Sequence, residues 1–133
     1  MNNGSERRLF VAATSQNDGK TTCTLGFLDA YRKRAKSVGF IKPVGQRYVL
    51  VDGQTIDEDT VLVQQACSLR CPLKDMSPVA IERNFTRRFL DDPAGITPRL
   101  IHSIESSFAI AAKDNDLVVI EGTGHAGLGP SSI

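Results

Sequence analysis

Short apolar runs of strand length alternate along the chain with stretches in which apolar residues recur at helical spacing. Leu9-Phe10-Val11-Ala12-Ala13 is a continuous apolar run, the pattern of a strand buried on both faces. Thr14 to Lys20 is small and polar. From Thr21 to Ala35 the spacing turns helical, with Leu25 and Leu28 on one row and Phe27, Tyr31 and Ala35 on the next. Arg32, Lys33, Arg34 and Lys36 close that helix, at the end where cations are favoured by the helix dipole. Val38-Gly39-Phe40-Ile41 is a second strand, stopped by Pro43. Strand, helix and strand in this order make a βαβ unit with a right-handed crossover.

The middle of the chain is less regular. Tyr48 to Val51 reads as a short strand before a turn at Asp52-Gly53, and Asp59 to Cys67 as a helix burying Val61, Leu62 and Ala66. Residues 71–95 hold three of the six prolines, so connections are expected there, with one short helix around Phe85 to Leu90. Thr97-Pro98 signals a helix start, followed by Ile101, Ile104, Phe108 and Ala111 at helical spacing. Leu117-Val118-Val119-Ile120 is a third buried strand, and four glycines fall between Gly122 and Ile133. The fold class implied is α/β, a doubly wound, mostly parallel sheet with flanking helices. Three buried strands and about two substantial helices are few for such a sheet. Residues 1–6, a polar stretch, are expected to be a flexible leader, and 7–133 the N-terminal part of a single domain whose open sheet edge needs cover.

Length and composition narrow the class. One hundred and thirty-three residues make one domain. Sixteen Lys and Arg against fifteen Asp and Glu, a formal charge of +1, argue against a broad basic face for nucleic acid. Aromatic residues are 6% with no Trp, which gives no stacking platform for single strands. No apolar run approaches the ~18 residues of a membrane helix, and Met1 to Arg8 lacks a signal-peptide core. Cys23, Cys67 and Cys71 are an odd number without zinc spacing, as in a reducing compartment. Cys67 and Cys71, four apart on the expected helix, face one side as core or surface thiols. The expectation is a cytoplasmic protein with neither nucleic acid nor membrane as partner.

The chemistry concentrates after the first strand. Thr14-Ser15-Gln16-Asn17-Asp18-Gly19-Lys20-Thr21 is a phosphate-binding loop without the usual first glycine, and Thr22 continues it. Gly19 lets successive N–H groups turn toward phosphate oxygens at a helix N-terminus. Lys20 reaches the β and γ phosphates, and the Thr21 hydroxyl ligates Mg²⁺. Glu121, directly after the third strand, belongs to the same carboxyl edge of the sheet, as a Mg²⁺ ligand or a solvated strand-end acid. Gly122 and Gly124 beside it suggest close backbone approach by a ligand. Asp57-Glu58-Asp59 serves either a helix N-terminus or the metal, and spacing does not choose. Lys42, before Pro43-Val44, is either a solvated strand-end charge or a second cation for a phosphate or carboxylate. His102 is structural or solvent-facing, whereas His125 lies nearer the expected site. Asp92-Pro93-Ala94-Gly95 spells a GTPase switch motif, but no buried strand precedes it and no Asn-Lys-x-Asp occurs in the chain.

These blocks together resemble the dethiobiotin synthetase family of P-loop ligases. Its first strand ends in Gly-Thr-Asp-Thr-x-Val-Gly-Lys-Thr, to which Ala13-Thr14-Ser15-Gln16-Asn17-Asp18-Gly19-Lys20-Thr21 is similar. Lys42-Pro43-Val44 resembles the family's Lys-Pro-Val, whose lysine binds phosphate. Asp59 falls where the family keeps a metal-binding aspartate, and Val119-Ile120-Glu121-Gly122-Thr123-Gly124 resembles its Val-Glu-Gly-Ala-Gly. The resemblance implies ATP and Mg²⁺ as cofactors, Lys20 and Lys42 as catalytic cations, and Thr21, Asp59 and Glu121 as metal ligands. Gly45-Gln46-Arg47 departs from the small residue, Ser or Thr, and Gly that the synthetases place there near the diamino acid. Asp75-Met76-Ser77-Pro78, Asn84-Phe85-Thr86-Arg87-Arg88 and the His125 loop look more like a sister group, the dethiobiotin-synthetase-like domain found alone or at the N-terminus of phosphate acetyltransferases.

Two functions are thus implied. One is a Mg-ATP-binding module that regulates or supports a larger protein. The other is an ATP-dependent ligase activating a carbamate for ring closure. The expected partners are a nucleotide and either a second copy of the chain or the rest of a longer polypeptide.

Overall fold

The structure, a computed structural model, describes residues 7–13, 19–34 and 37–123. Its centre is a three-stranded parallel sheet in the order β1 (Arg7–Val11), β7 (Leu117–Glu121), β2 (Val38–Ile41). Register pairs Leu9 with Val119 and Val119 with Phe40, so β7 is hydrogen-bonded on both sides. Helix α1 (Lys20–Lys33) connects β1 to β2, and α5 (Pro93–Ala112) leads back into β7. The two crossovers run in opposite directions across the sheet, so right-handedness puts their helices on opposite faces. Accordingly, Leu28 packs on the face of Val38, Phe40, Leu117 and Val119, while Ala111 packs on that of Ile41 and Val118. Leu28, Phe40 and Ile41 are fully buried, each stabilising the fold by roughly 1.5–3 kcal/mol.

The remaining elements hang from the carboxyl end of β2. They are β3 (Val44–Gly45), β4 (Tyr48–Val51), β5 (Gln54–Asp57), α2 (Glu58–Cys67), α3 (Leu73–Met76), β6 (Val79–Ala80) and α4 (Phe85–Asp91). β3 pairs in parallel with β6, and β4 with β5 as an antiparallel hairpin. Asp52 and Gly53 both have positive φ, 49° and 77°, as a two-residue hairpin turn requires.

Several expectations change. The first strand is shifted to Arg7–Val11, excluding Ala12 and Ala13, and is not buried on both faces: Phe10 is 62% exposed. β1 pairs only with β7 among the described residues, and α5 crosses closer to β2, reaching β1 through Phe108 beneath Arg8. The last helix starts at Pro93 rather than Pro98. Asp92 caps it by accepting the Gly95 N–H at 3.0 Å, and the carboxylate fits only because Gly95 lacks a Cβ, which would lie 2.3 Å from it. Asp92-Pro93-Ala94-Gly95 is therefore a helix start, and Pro98 lies inside the helix. Helix α2 buries Thr60, Val63 and Cys67 instead of Val61, Leu62 and Ala66, and Leu62 is 48% exposed. It ends at Cys67, so Cys71 lies beyond it, although both line one cavity of about 610 Å³ at the amino end of β2. The leader 1–6 and His125 lie outside the described residues.

Candidate functional site

Gly19, with φ 79°, turns the chain into α1, and its carbonyl accepts the first helical bond from the Cys23 N–H at 3.0 Å. Lys20 opens the helix and is buried, Thr21 is half-buried and Thr22 is exposed. Thr14, Ser15, Gln16, Asn17 and Asp18 lie outside the described residues. Helical geometry brings the side chains of Thr21 and Thr24 onto one face, three residues apart. Both hydroxyls donate to Glu121, the last residue of β7: Thr21 to Oε1 and Thr24 to Oε2, each at 3.1 Å. Glu121 is fully buried and lies on the α1 face of the sheet, in phase with Leu117 and Val119.

Lys42 follows β2 at the same edge, with its N–H held by the Met76 carbonyl. Its ammonium donates to Asp59 Oδ2 at 2.7 Å and lies 3.1 Å from Asp57 Oδ1 and 3.6 Å from Glu121 Oε1. Asp57 and Asp59 owe their places to the β5–α2 junction. Asp57 ends β5 and caps α2 by accepting the Asp59 N–H at 3.0 Å, while its own N–H donates to the Ser77 hydroxyl. Of the two jobs left open by the spacing, Asp57 does the first by capping the helix, while Asp59 faces the lysine. Lys42 is not a solvated charge but a buried one. Arg47, in the loop that departs from the synthetase pattern, pairs with Glu58 at 3.4 Å.

The charges are unequal. One ammonium and three carboxylates sum to a formal −2. Burial works to lower the Lys42 pKa, but the hydrogen bond to Asp59 and the charges of Asp57, Asp59 and Glu121 overcome it and hold it above the ordinary range. Burial also pushes Asp57 and Glu121 above the usual carboxylate range, and a single shared lysine does not cancel that. The shifts agree physically, because the lysine has anions in surplus while each buried acid lacks positive charge. Asp57 Oδ2 is buried and has no hydrogen-bond partner among the described residues.

That charge deficit and the all-oxygen donor set suit Mg²⁺, which takes one or two carboxylates and completes its shell with water and phosphate. Among the described residues no group of three or more acidic, histidine or cysteine side chains is arranged to hold a metal ion by itself. Thr24 was not singled out from the sequence, and Asp57 entered only as part of the acidic run Asp57-Glu58-Asp59. Thr24 was findable, since it repeats Thr21 one turn on. Asp57 depends on a hairpin whose second strand carries no strong apolar alternation.

A strand, a turn through glycine into a Lys-Thr helix start, and an acid on the adjacent parallel strand define a P-loop-type α/β fold. Residues 7–132 match the family model described as an AAA domain, and the chain belongs to that family, in its dethiobiotin-synthetase-like branch. It is 25% identical over 122 residues to the ATP-dependent dethiobiotin synthetase BioD of Alteromonas mediterranea, covering 89% of this chain and 52% of that protein. BioD 2 of Salmonella typhi is 26% identical over 118 residues, 89% of this chain and 49% of its own length. A phosphate acetyltransferase of Pseudomonas aeruginosa is 32% identical over 113 residues, 85% of this chain but 15% of that protein. The chain spans about half the length of the dethiobiotin synthetases it matches. Among the described residues no helix is long and apolar enough to cross a membrane.

Proposed function

We propose that this chain binds Mg-ATP and serves as a nucleotide-binding module of a larger cytoplasmic protein. The observation that carries this reading is Glu121, held through both oxygens by two hydroxyls of the helix that Gly19-Lys20 begins, with Lys42 beside it. Lys20 and Lys42 meet the phosphate charge. Thr21, Asp59 and Glu121 hold Mg²⁺, and residues 14–18, which lie outside the described residues, are assigned to phosphate binding from the sequence. Bound there, Mg²⁺ neutralises phosphate charge and polarises the terminal phosphoryl group. Residues 7–133 form the N-terminal part of the domain, and further chain, or a second copy, covers the β1 edge where Phe10 is exposed. The module role draws support from Gly45-Gln46-Arg47, the Arg47–Glu58 pair and the likeness to a small part of a phosphate acetyltransferase.

A second reading is favoured by the names of the other relatives and by Lys42, whose position matches the phosphate-binding lysine. In it the protein is an ATP-dependent dethiobiotin synthetase, with Lys20 and Lys42 stabilising charge as a carbamate oxygen attacks the γ-phosphate. Phosphate release from ATP, with and without diaminopelargonate and bicarbonate, separates the two. The module reading predicts no stimulation by these substrates, and substrate-stimulated turnover would sink it.

A further inference from the structure

The lysine and the proposed metal ligands share oxygens. The Lys42 ammonium lies 2.7 Å from Asp59 Oδ2 and 3.6 Å from Glu121 Oε1, and these two carboxylates are the ones assigned above to Mg²⁺. Magnesium binds oxygen at about 2.0–2.1 Å, so an ion on Asp59 Oδ2 would sit within about 5 Å of the ammonium. A dication and an ammonium that close together repel inside a poorly solvated site. We propose that Lys42 and a divalent cation compete for one carboxylate gap, the lysine filling it until phosphate oxygens draw the ammonium away, and that Asp57 is the positioning residue holding the lysine there. This rests on the metal reading of Asp59 and Glu121.

Asp57 has the geometry of an anchor. It is fully buried, and its Oδ1 is engaged by the Asp59 N–H and by Lys42. Its Oδ2 packs against Gly45, where a Cβ would lie 2.5 Å away, so the missing side chain at Gly45 makes room for the carboxylate. The backbone fixes it twice, as the end of β5 and as the cap of α2. The exchange also improves the charge balance. Three carboxylates with a dication leave a smaller surplus than with one ammonium, and the lysine then meets phosphate. The protein therefore resists divalent ions alone and admits them together with the nucleotide.

The test uses the nucleotide-free chain and Mn²⁺, followed by electron paramagnetic resonance. Lys42→Gln, neutral but able to donate to the acids, should bind Mn²⁺ about tenfold tighter than wild type or more. Lys42→Arg, which keeps the charge, should behave as wild type, and Lys42→Gln/Glu121→Gln should lose the gain. Equal Mn²⁺ affinity for wild type and Lys42→Gln overturns the competition. If Glu121→Gln still weakens Mn-ATP binding in that case, the metal reading itself survives; if Glu121→Gln leaves Mn-ATP binding intact, the metal reading falls first. Reductive methylation read by peptide mass gives a second measurement that depends on no variant at residue 42. Lys42 labelling in the wild type should rise several-fold when Mn²⁺ alone is raised until it fills the gap, because the displaced ammonium then has no phosphate to meet. It should also rise in Asp57→Asn, whose asparagine keeps the helix cap. Unchanged labelling in the wild type overturns the exchange, and unchanged labelling in Asp57→Asn overturns the part given to Asp57.

Discussion

Thr24→Val removes one hydroxyl and almost nothing else. Valine has nearly the shape of threonine, is likewise β-branched, and has a similar helix propensity. Thr24 is fully buried, and its hydroxyl donates at 3.1 Å to Oε2 of a glutamate that is also fully buried. A hydrogen bond to a charged acceptor contributes about 1.5–3 kcal/mol, and burial makes a stranded carboxylate oxygen costly. We expect a loss of about 2 kcal/mol at pH 7, with a drop of several degrees in Tm for a domain of this size. The loss should depend on pH with a definite sign. Burial already raises the Glu121 pKa, and the Thr24 hydrogen bond is one of the influences lowering it. Removing that bond raises the folded-state pKa further. A raised folded pKa gives stability that is present below the unfolded glutamate value and lost as pH rises through the folded one. The gap between mutant and wild type should therefore be small near pH 4 and widen toward pH 7. Urea melts at the two pH values measure it. A loss of equal size at both would mean that Thr24 acts by packing alone, and no loss at pH 7 would refute the argument.

Other outcomes follow from single contacts. Glu121→Gln should abolish the enhancement of nucleotide binding by Mg²⁺, measured calorimetrically with and without EDTA, while leaving metal-free nucleotide affinity nearly unchanged. Gly39→Ala should cost about 1–3 kcal/mol in urea melts, because its Cβ would lie 2.3 Å from the Ala111 carbonyl where α5 crosses β2. Asp92→Ala should cost about 1 kcal/mol through loss of the α5 cap, and the same loss from Thr97→Ala would return the helix start to Pro98.

The sequence revealed the parallel sheet and the P-loop edge because both are written locally. A buried strand reads as an unbroken apolar run, and Gly19-Lys20-Thr21 sits where such a run meets a helix. Glu121, Lys42 and Asp59 were found for the same reason, each adjoining an element with a clear pattern. What the sequence hid depends on tertiary choice. Two Asp/Thr-Pro helix starts lie five residues apart, and the earlier one prevails because Gly95 leaves space for the Asp92 carboxylate. The apolar run at Leu9 resembles that of β7 but among the described residues pairs on one side only, since apolarity records what a strand is able to bury and not how many neighbours it has. The grouping of Asp57 with Lys42 spans a hairpin, and no single window of sequence contains it.

In the proposed function, the Gly19–Thr21 turn and the acid cluster opposite it bind a Mg-nucleotide. Calorimetric titration of Mg-ATP into wild type and Lys20→Ala tests it most directly. Lys20 begins α1 at the loop, so its replacement should leave the thermal transition cooperative. The loss of a charge-assisted contact to phosphate should weaken binding by about 10- to 100-fold or abolish it. Wild-type binding that Lys20→Ala leaves unchanged, or no binding by the wild type itself, would contradict the account.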